Sequence, residues 1–164
     1  MKIKNSVDLF ALSLFSFLMF SFSGSAMGQT SLEGAWVLEE TEDADGNVDA
    51  EPLPGLWVFT KNHYSVMLAT GNKPRALPDD ENPSDAQLLE AYRSFTANSG
   101  RYEVDGGELV IHPYVSKAPN LMTGFPEATL SLPFVLDGDS LTITAPNGVT
   151  GTYLNVDDSP PPWE

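Results

Sequence analysis

The 164-residue chain has no cysteine. Thiol catalysis, disulfide bonds and the attachment of a lipid to a cysteine are therefore excluded. Positive charge is also scarce, because 8 lysines and arginines stand against 23 aspartates and glutamates and the formal net charge is −15. Nucleic acids and anionic membrane surfaces are bound through clusters of lysine and arginine, so neither is expected as a partner. The acidic balance is typical of a surface that keeps a protein soluble.

The chain also lacks the short motifs that mark common catalytic sites. It contains no Gly-x-Ser-x-Gly nucleophile elbow, no phosphate-binding loop and no His-Glu-x-x-His zinc helix. The stretch Asp43-Ala44-Asp45-Gly46 resembles part of a calcium-binding loop, but aligning its glycine places Thr41 and Pro52 where ligands are required. We therefore expect a turn there, and neither a metal nor another cofactor is predicted.

Long hydrophobic runs are confined to the N-terminal segment. Lys2 and Lys4 precede an almost unbroken apolar run over residues 9–22, and small residues follow it. This order is typical of a secretory signal peptide over residues 1–28, cleaved before Gln29. The alternative is a membrane anchor, but the run is shorter than the roughly 20 residues that span a bilayer. The sequence thus predicts a periplasmic or secreted protein with no stable membrane insertion after cleavage.

The rest of the chain consists of short alternating segments separated by turns. Residues 29–157 are expected to form one domain, followed by a flexible proline-rich tail over residues 158–164. Apolar residues at helical spacing after Ser84 predict one short helix over residues 84–96. Eight strands are predicted, over residues 34–42, 56–60, 63–70, 99–106, 108–116, 128–136, 141–145 and 150–156.

Eight short antiparallel strands joined mostly by tight turns can close into a barrel. Closure leaves no exposed edge and encloses space for side chains or one small ligand. A β-sandwich produces the same local signals and is the alternative fold. The strongest signal is the turn Asp105-Gly106-Gly107, because glycine tolerates the positive φ that tight turns between strands require. The predicted fold class is all-β, an eight-stranded antiparallel barrel with one short helix.

Five segments of the chain carry a family resemblance. They are Leu32-x-Gly34-x-Trp36-x-Leu38, Ser99-Gly-Arg-Tyr-Glu-Val-Asp-Gly106, Ile111-His112, Pro119-Asn120 and Leu136-Asp-Gly-Asp-Ser-Leu-Thr142. In order and spacing they are similar to the lipocalin-like domain family of bacteria and fungi. The resemblance implies a barrel of the calycin type and implies no particular activity. Pro113 stands where that family often has a second polar residue, so no two-residue site is carried over.

His112 is the residue with the most direct potential for chemistry. It lies in mid-strand, on the face shared by Val110 and Tyr114, where a general base or a hydrogen-bond donor to a ligand would be placed. The alternative is a histidine whose ring is bonded by a neighbouring strand or a carboxylate. Tyr102 is expected to point inward, with its hydroxyl bonded to a ligand or to His112. His63 is expected to be solvated, so the two histidines predict no metal site.

Three classes of function remain open. The leading hypothesis is a non-catalytic barrel that binds a small apolar or amphipathic molecule, because the strand faces carry aromatic residues. The second is an isomerase- or hydrolyase-type enzyme with His112 and Tyr102 as its acid–base pair. The third is a structural or interaction module that uses the helix and residues 71–83. The predicted ligand-binding residues, for which core packing or surface ion pairing is the competing interpretation, are His112, Tyr102, Tyr64, Trp57, Met67, Phe134 and Arg101.

Overall fold

The computed structural model describes residues 31–71, 73–77 and 81–157. The predicted signal peptide and proline-rich tail lie outside this part of the chain. The described residues form one antiparallel sheet of nine strands, eight of which close into a barrel, so the predicted fold class is confirmed. The strands are β1 Gly34–Glu42, β2 Val48–Asp49, β3 Gly55–Phe59, β4 His63–Ala69, β5 Phe95–Asp105, β6 Glu108–Ser116, β7 Leu130–Asp137, β8 Ser140–Thr144 and β9 Thr150–Asn155.

The barrel closes because β1 pairs with both β3 and β9. Trp36 lies opposite Trp57 of β3, and Leu38 lies opposite Tyr153 of β9. All other barrel neighbours are consecutive antiparallel strands. The short strand β2 pairs with the end of β1 outside this ring, at positions where the sequence predicted no strand. Full closure removes the exposed edges that a β-sandwich would leave.

The core fills the barrel interior with inward-facing side chains from every one of its eight strands. Trp36 is 1 % exposed, and its indole Nε1 donates a hydrogen bond to the Leu32 carbonyl at 2.8 Å. This burial gives Trp36 a packing role in the core. The buried apolar residues are Leu32, Trp36, Trp57, Phe59, Tyr64, Val66, Leu109, Ile111, Leu132, Leu141, Ile143 and Tyr153, and Leu38, Leu68, Tyr102, Leu130, Phe134 and Leu136 pack against them.

The hairpin between β5 and β6 has the predicted turn. Asp105 pairs with Glu108, and both glycines between them have positive φ, 57° at Gly106 and 91° at Gly107. Further along β5, Gly100 lies at an irregularity in the register, where the strands approach closely. A Cβ on Gly100 would clash with the carbonyl oxygen of His112. The glycine is therefore required by space rather than by backbone conformation.

The helix α1, Asp85–Arg93, begins as predicted. The Ser84 hydroxyl accepts a hydrogen bond from the Gln87 backbone, and the Gln87 side chain accepts one from the Ser84 backbone. This capping box satisfies two donors of the first turn. The helix ends before the predicted residue 96, because residues 95–98 pair with β4 and extend β5 instead.

No residue of α1 is buried. Leu88, Leu89 and Tyr92, whose helical spacing predicted this element, are each about half exposed. The helix is held at its C-terminal end, where the Tyr92 hydroxyl donates to the Lys117 carbonyl at 2.9 Å. Within residues 31–71, 73–77 and 81–157, no helix has the length and apolar character needed to cross a membrane.

Candidate ligand-binding site

One end of the barrel carries an apolar pocket. The β3–β4, β5–β6 and β7–β8 turns lie at this end, which we call the hairpin end. The pocket has a volume of about 480 Å³ and falls within the range of about 300–1,000 Å³ typical of small-molecule sites. Its lining residues, four of them aliphatic or phenyl and one a phenol, are Leu32, Tyr102, Val104, Phe134 and Leu136.

Tyr102 supplies the polar group of this pocket. Its hydroxyl donates to the Thr60 carbonyl at 2.9 Å, and its ring meets Phe59 edge-on with centroids 5.1 Å apart. Burial, and secondly the negative charge of Glu33, raise the pKa of the Tyr102 hydroxyl above its ordinary value. The phenol is therefore protonated at neutral pH. Because its hydrogen is already donated to Thr60, its oxygen remains free to accept a hydrogen bond from a ligand.

Two residues of the predicted binding set meet at this pocket. Tyr102 on β5 and Phe134 on β7 both face inward and line it. Their contact with a ligand stays a prediction. Val104 and Leu136 follow them at the alternating spacing of a strand and belong to the same wall. Leu32 lies before β1, and only the tertiary structure brings it to the pocket.

Trp57 and Tyr64 also face inward, but they lie in the packed core and not in the pocket lining. The Trp57 ring stacks on Phe59 with centroids 5.3 Å apart and is tilted against Tyr64 at 5.7 Å. The Tyr64 hydroxyl donates to Oδ1 of Asn98 at 2.7 Å. Burial raises the pKa of this hydroxyl far above that of an exposed phenol, so it also remains protonated.

His112 faces away from the barrel interior, on the face that it shares with Val110 and Tyr114, and its ring lies against a carboxylate, the alternative that the sequence left open. The buried positions of β6 are Leu109, Ile111 and Pro113, which alternate with it. The His112 Nε2 lies 3.1 Å from Oε1 of the exposed Glu103 on the outer surface. A shift of the pairing register by one residue moves every side chain of a strand to the other face of the sheet. Strand β6 has apolar residues on both faces, so its sequence is compatible with either register.

The proposed acid–base pair is not formed. Tyr102 pairs with Ile111 on the inner face, whereas His112 pairs with Arg101 on the outer face. The two side chains therefore lie on opposite sides of the barrel wall. His112 and Tyr102, the pair named by the enzyme hypothesis, therefore do not share a pocket in the described part of the chain.

Met67 and Arg101 also lie on the outer face of the barrel. Neither of them lines the hairpin-end pocket, although both belong to the predicted ligand-binding residues. Met67 is exposed and alternates with the buried Tyr64 and Val66 on β4. Arg101 is exposed on β5, between the inward Gly100 and Tyr102. Among the described residues, no group of three or more histidine, aspartate or glutamate side chains is placed to hold a metal ion.

Replacing His112 by alanine tests its position. We expect the free energy of unfolding to fall by about 1 kcal/mol, because the Glu103 carboxylate is exposed and contributes little, whereas the His112 side chain is only 17 % exposed and loses some packing. The adjacent inward residue is the control: Ile111→Ala removes a fully buried side chain and should cost about 2–5 kcal/mol. Urea melts of both variants make the comparison. A loss in His112→Ala as large as that in Ile111→Ala would contradict the outward orientation.

One family profile and two solved structures are similar to this chain. The lipocalin-like domain profile matches residues 33–147. A crystal structure of a lipocalin-like protein from Bacteroides uniformis is 19 % identical over 76 % of this chain and 97 % of that one, with a TM-score of 0.45. A crystal structure of an uncharacterized protein from Bacteroides eggerthii is 12 % identical over 76 % of this chain and 99 % of that one, with a TM-score of 0.46. No curated protein matches the chain significantly. Since the profile spans most of the closed barrel, the chain belongs to the lipocalin-like domain family.

Proposed function

We propose that this lipocalin-like barrel binds a small apolar or amphipathic molecule in the pocket at its hairpin end. The observation that carries the proposal is the pocket itself, about 480 Å³ in volume and lined by four apolar side chains and one phenol. A concave, mostly apolar surface with a few fixed polar groups is the usual form of a small-molecule site. Tyr102 would orient a ligand by accepting a hydrogen bond from it.

The charges around the pocket decide which head group a ligand can carry. Glu33 acts on the Tyr102 hydroxyl, so a carboxylate lies near this wall, and the whole chain carries a formal net charge of −15. Arg101, the cation next to Tyr102 in the chain, is on the outer surface. An anionic head group would therefore be repelled, whereas a neutral or positively charged one is favoured.

We also propose that binding takes place outside the cytoplasm. The support is the N-terminal pattern of Lys2 and Lys4, the apolar run over residues 9–22 and the small residues before Gln29. The absence of cysteine fits a barrel that is released rather than anchored by a lipid on cysteine.

A charge placed in the pocket wall tests the binding site. Val104 lines the pocket and is 53 % exposed, whereas Val135 is 65 % exposed on the outer face of β7. Both tolerate a glutamate without burying it, so Val104→Glu and Val135→Glu add the same charge in two places. We expect Val104→Glu to weaken binding of the neutral fluorophore N-phenyl-1-naphthylamine about tenfold or more, because the apolar wall becomes charged. Val135→Glu should leave the affinity within about twofold of the parent protein.

The measurement is a fluorescence titration, since this probe brightens in apolar surroundings. Equal affinities of the two variants would show that the probe does not use the hairpin-end pocket. Absence of probe binding to the parent protein up to the solubility limit would remove the main support for the proposal. Urea melts of the three proteins exclude unfolding as the cause of any loss.

A further inference from the structure

The hairpin-end pocket is bordered by negatively charged side chains. Four of its five lining residues are followed directly in the chain by an exposed acidic residue, and these pairs are Leu32 and Glu33, Tyr102 and Glu103, Val104 and Asp105, and Leu136 and Asp137. Consecutive Cα atoms are about 3.8 Å apart, so each acidic residue is attached next to the pocket wall. We call these four acidic residues the acidic rim.

Most of the negative charge of the acidic rim has no positive partner. Glu103 has one neighbour of this kind, because its Oε1 lies 3.1 Å from Nε2 of His112. In the described part of the chain, the carboxylates of Glu33, Asp105 and Asp137 form no ion pair and accept no hydrogen bond. Their charges therefore act on whatever enters the pocket beside them.

The positive charges of the protein lie mostly away from the pocket. Arg75, Arg93 and Lys117 are at the opposite end of the barrel, in or beside the helix α1. Lys61 is in the β3–β4 turn and Arg101 is on the outer face of β5, and both are exposed. None of the described lysines and arginines is among the residues that line the pocket. The pocket is therefore apolar inside and negatively charged around its border.

Tyr102 shows that the negative charge is felt at the pocket wall. Burial is the larger cause of its raised pKa, and the charge of Glu33 raises that pKa further. A potential that disfavours a phenolate at this position favours a cation there. The Tyr102 oxygen can also accept a hydrogen bond, since its own proton is donated to the Thr60 carbonyl. An ammonium group has the N–H donors and the positive charge that fit both features.

We propose that the ligand of the hairpin-end pocket is a cationic amphiphile, a small molecule with an apolar chain or ring and an ammonium group. Its apolar part would lie between the four apolar lining side chains, and its ammonium group would face the Tyr102 oxygen and the acidic rim. This inference rests on the proposed function and narrows it, because a neutral molecule fills the same pocket but gains nothing from the rim. Each exposed carboxylate contributes little by itself, so the preference is the sum of several.

Three molecules with the same eight-carbon chain separate the effect of charge from the burial of apolar surface. Octylamine is an ammonium ion at neutral pH, octan-1-ol is neutral and octanoate is an anion. By isothermal titration calorimetry of the full chain in about 20 mM NaCl, we expect octylammonium to bind about three- to tenfold more tightly than octan-1-ol. Octanoate should bind more weakly than octan-1-ol. In about 500 mM NaCl the preference for octylammonium should fall below about twofold, because salt screens exposed carboxylates.

Two variants of equal net charge show whether the position of the carboxylates matters. The rim variant removes three charges beside the pocket through Glu33→Gln, Asp105→Asn and Asp137→Asn. The control variant removes three exposed charges at the opposite end of the barrel through Asp45→Asn, Asp49→Asn and Glu90→Gln. We expect the rim variant to prefer octylammonium over octan-1-ol by less than about twofold, with its octan-1-ol affinity within about twofold of the parent. The control variant should keep the preference of the parent protein.

Two results would overturn the inference and leave the proposed function standing. One is octan-1-ol that binds the parent protein at least as tightly as octylammonium in low salt. The other is an equal loss of preference in the rim and control variants, which would assign the attraction to the charge of the whole chain. If none of the three molecules bound up to its solubility limit, the proposed function would fail together with the inference. Urea melts of the parent and both variants exclude unfolding as the cause of a change.

Discussion

Replacing Trp36 by alanine is expected to lower the free energy of unfolding by about 3–5 kcal/mol, the range for removing a large buried aromatic side chain. Trp36 is 1 % exposed and belongs to the central strand of the closure, where it pairs with Trp57. The substitution leaves a cavity in the core, and it also leaves the Leu32 carbonyl without its donor. Chemical denaturation monitored by circular dichroism measures the loss.

A truncation on the outer surface serves as the control for Trp36. Val135→Ala removes an apolar side chain that is 65 % exposed, and it should change the free energy of unfolding by less than about 0.5 kcal/mol. A loss below about 1 kcal/mol in Trp36→Ala would contradict a structural role of the indole in closing the barrel.

Adding a single methyl group at Gly100 is expected to cost about 3 kcal/mol, at the upper end of the cost of overpacking. The new Cβ would meet the carbonyl oxygen of His112 and would lie 2.9 Å from Cα of Pro113. Both are backbone atoms of β6, so the strands must separate to make room, and the hydrogen bonds near the irregular register between Ser99 and Gly100 would be strained.

The adjacent residue isolates the effect of space at Gly100. Arg101→Ala changes an exposed side chain on the same strand, and it should leave stability within about 0.5 kcal/mol of the parent protein. Urea midpoints of both variants give the comparison. Stability of Gly100→Ala within about 1 kcal/mol of the parent would show that β5 and β6 adjust freely at this point.

The sequence distinguished the two faces of a strand only where polar and apolar residues alternate clearly. On β7, Leu132, Phe134 and Leu136 alternate with polar or exposed positions, and the structure places Phe134 on the inner face, where it lines the pocket. On β6, Leu109 and Val110 are both apolar, so the pattern alone did not show whether the face of His112 or the face of Ile111 lies inside the barrel. Pairing with β5 decided it, because Ile111 had to join Tyr102 inside the barrel.

The start of β5 shows how pairing overrides a helical pattern. Phe95 continued the spacing of Leu88, Leu89 and Tyr92, and the helix was therefore predicted to reach residue 96. In the structure Phe95 lies opposite Ala69 and begins the longest strand. Pairing with β4 along residues 95–101 compensates for the helical hydrogen bonds that are not formed beyond the end of α1.

Local chemistry in the sequence by itself determined the positions of most strands, the glycine turn at Gly106 and the capped start of α1, because each depends on neighbours within a few residues. Closure of the barrel and the hairpin-end pocket were decided only by the tertiary structure. Trp57 and Tyr153 are far apart in the chain and approach each other because β1 pairs with both of their strands. Such contacts depend on which strands become neighbours in the sheet. The alternation of residues within one strand does not show which strand pairs with it.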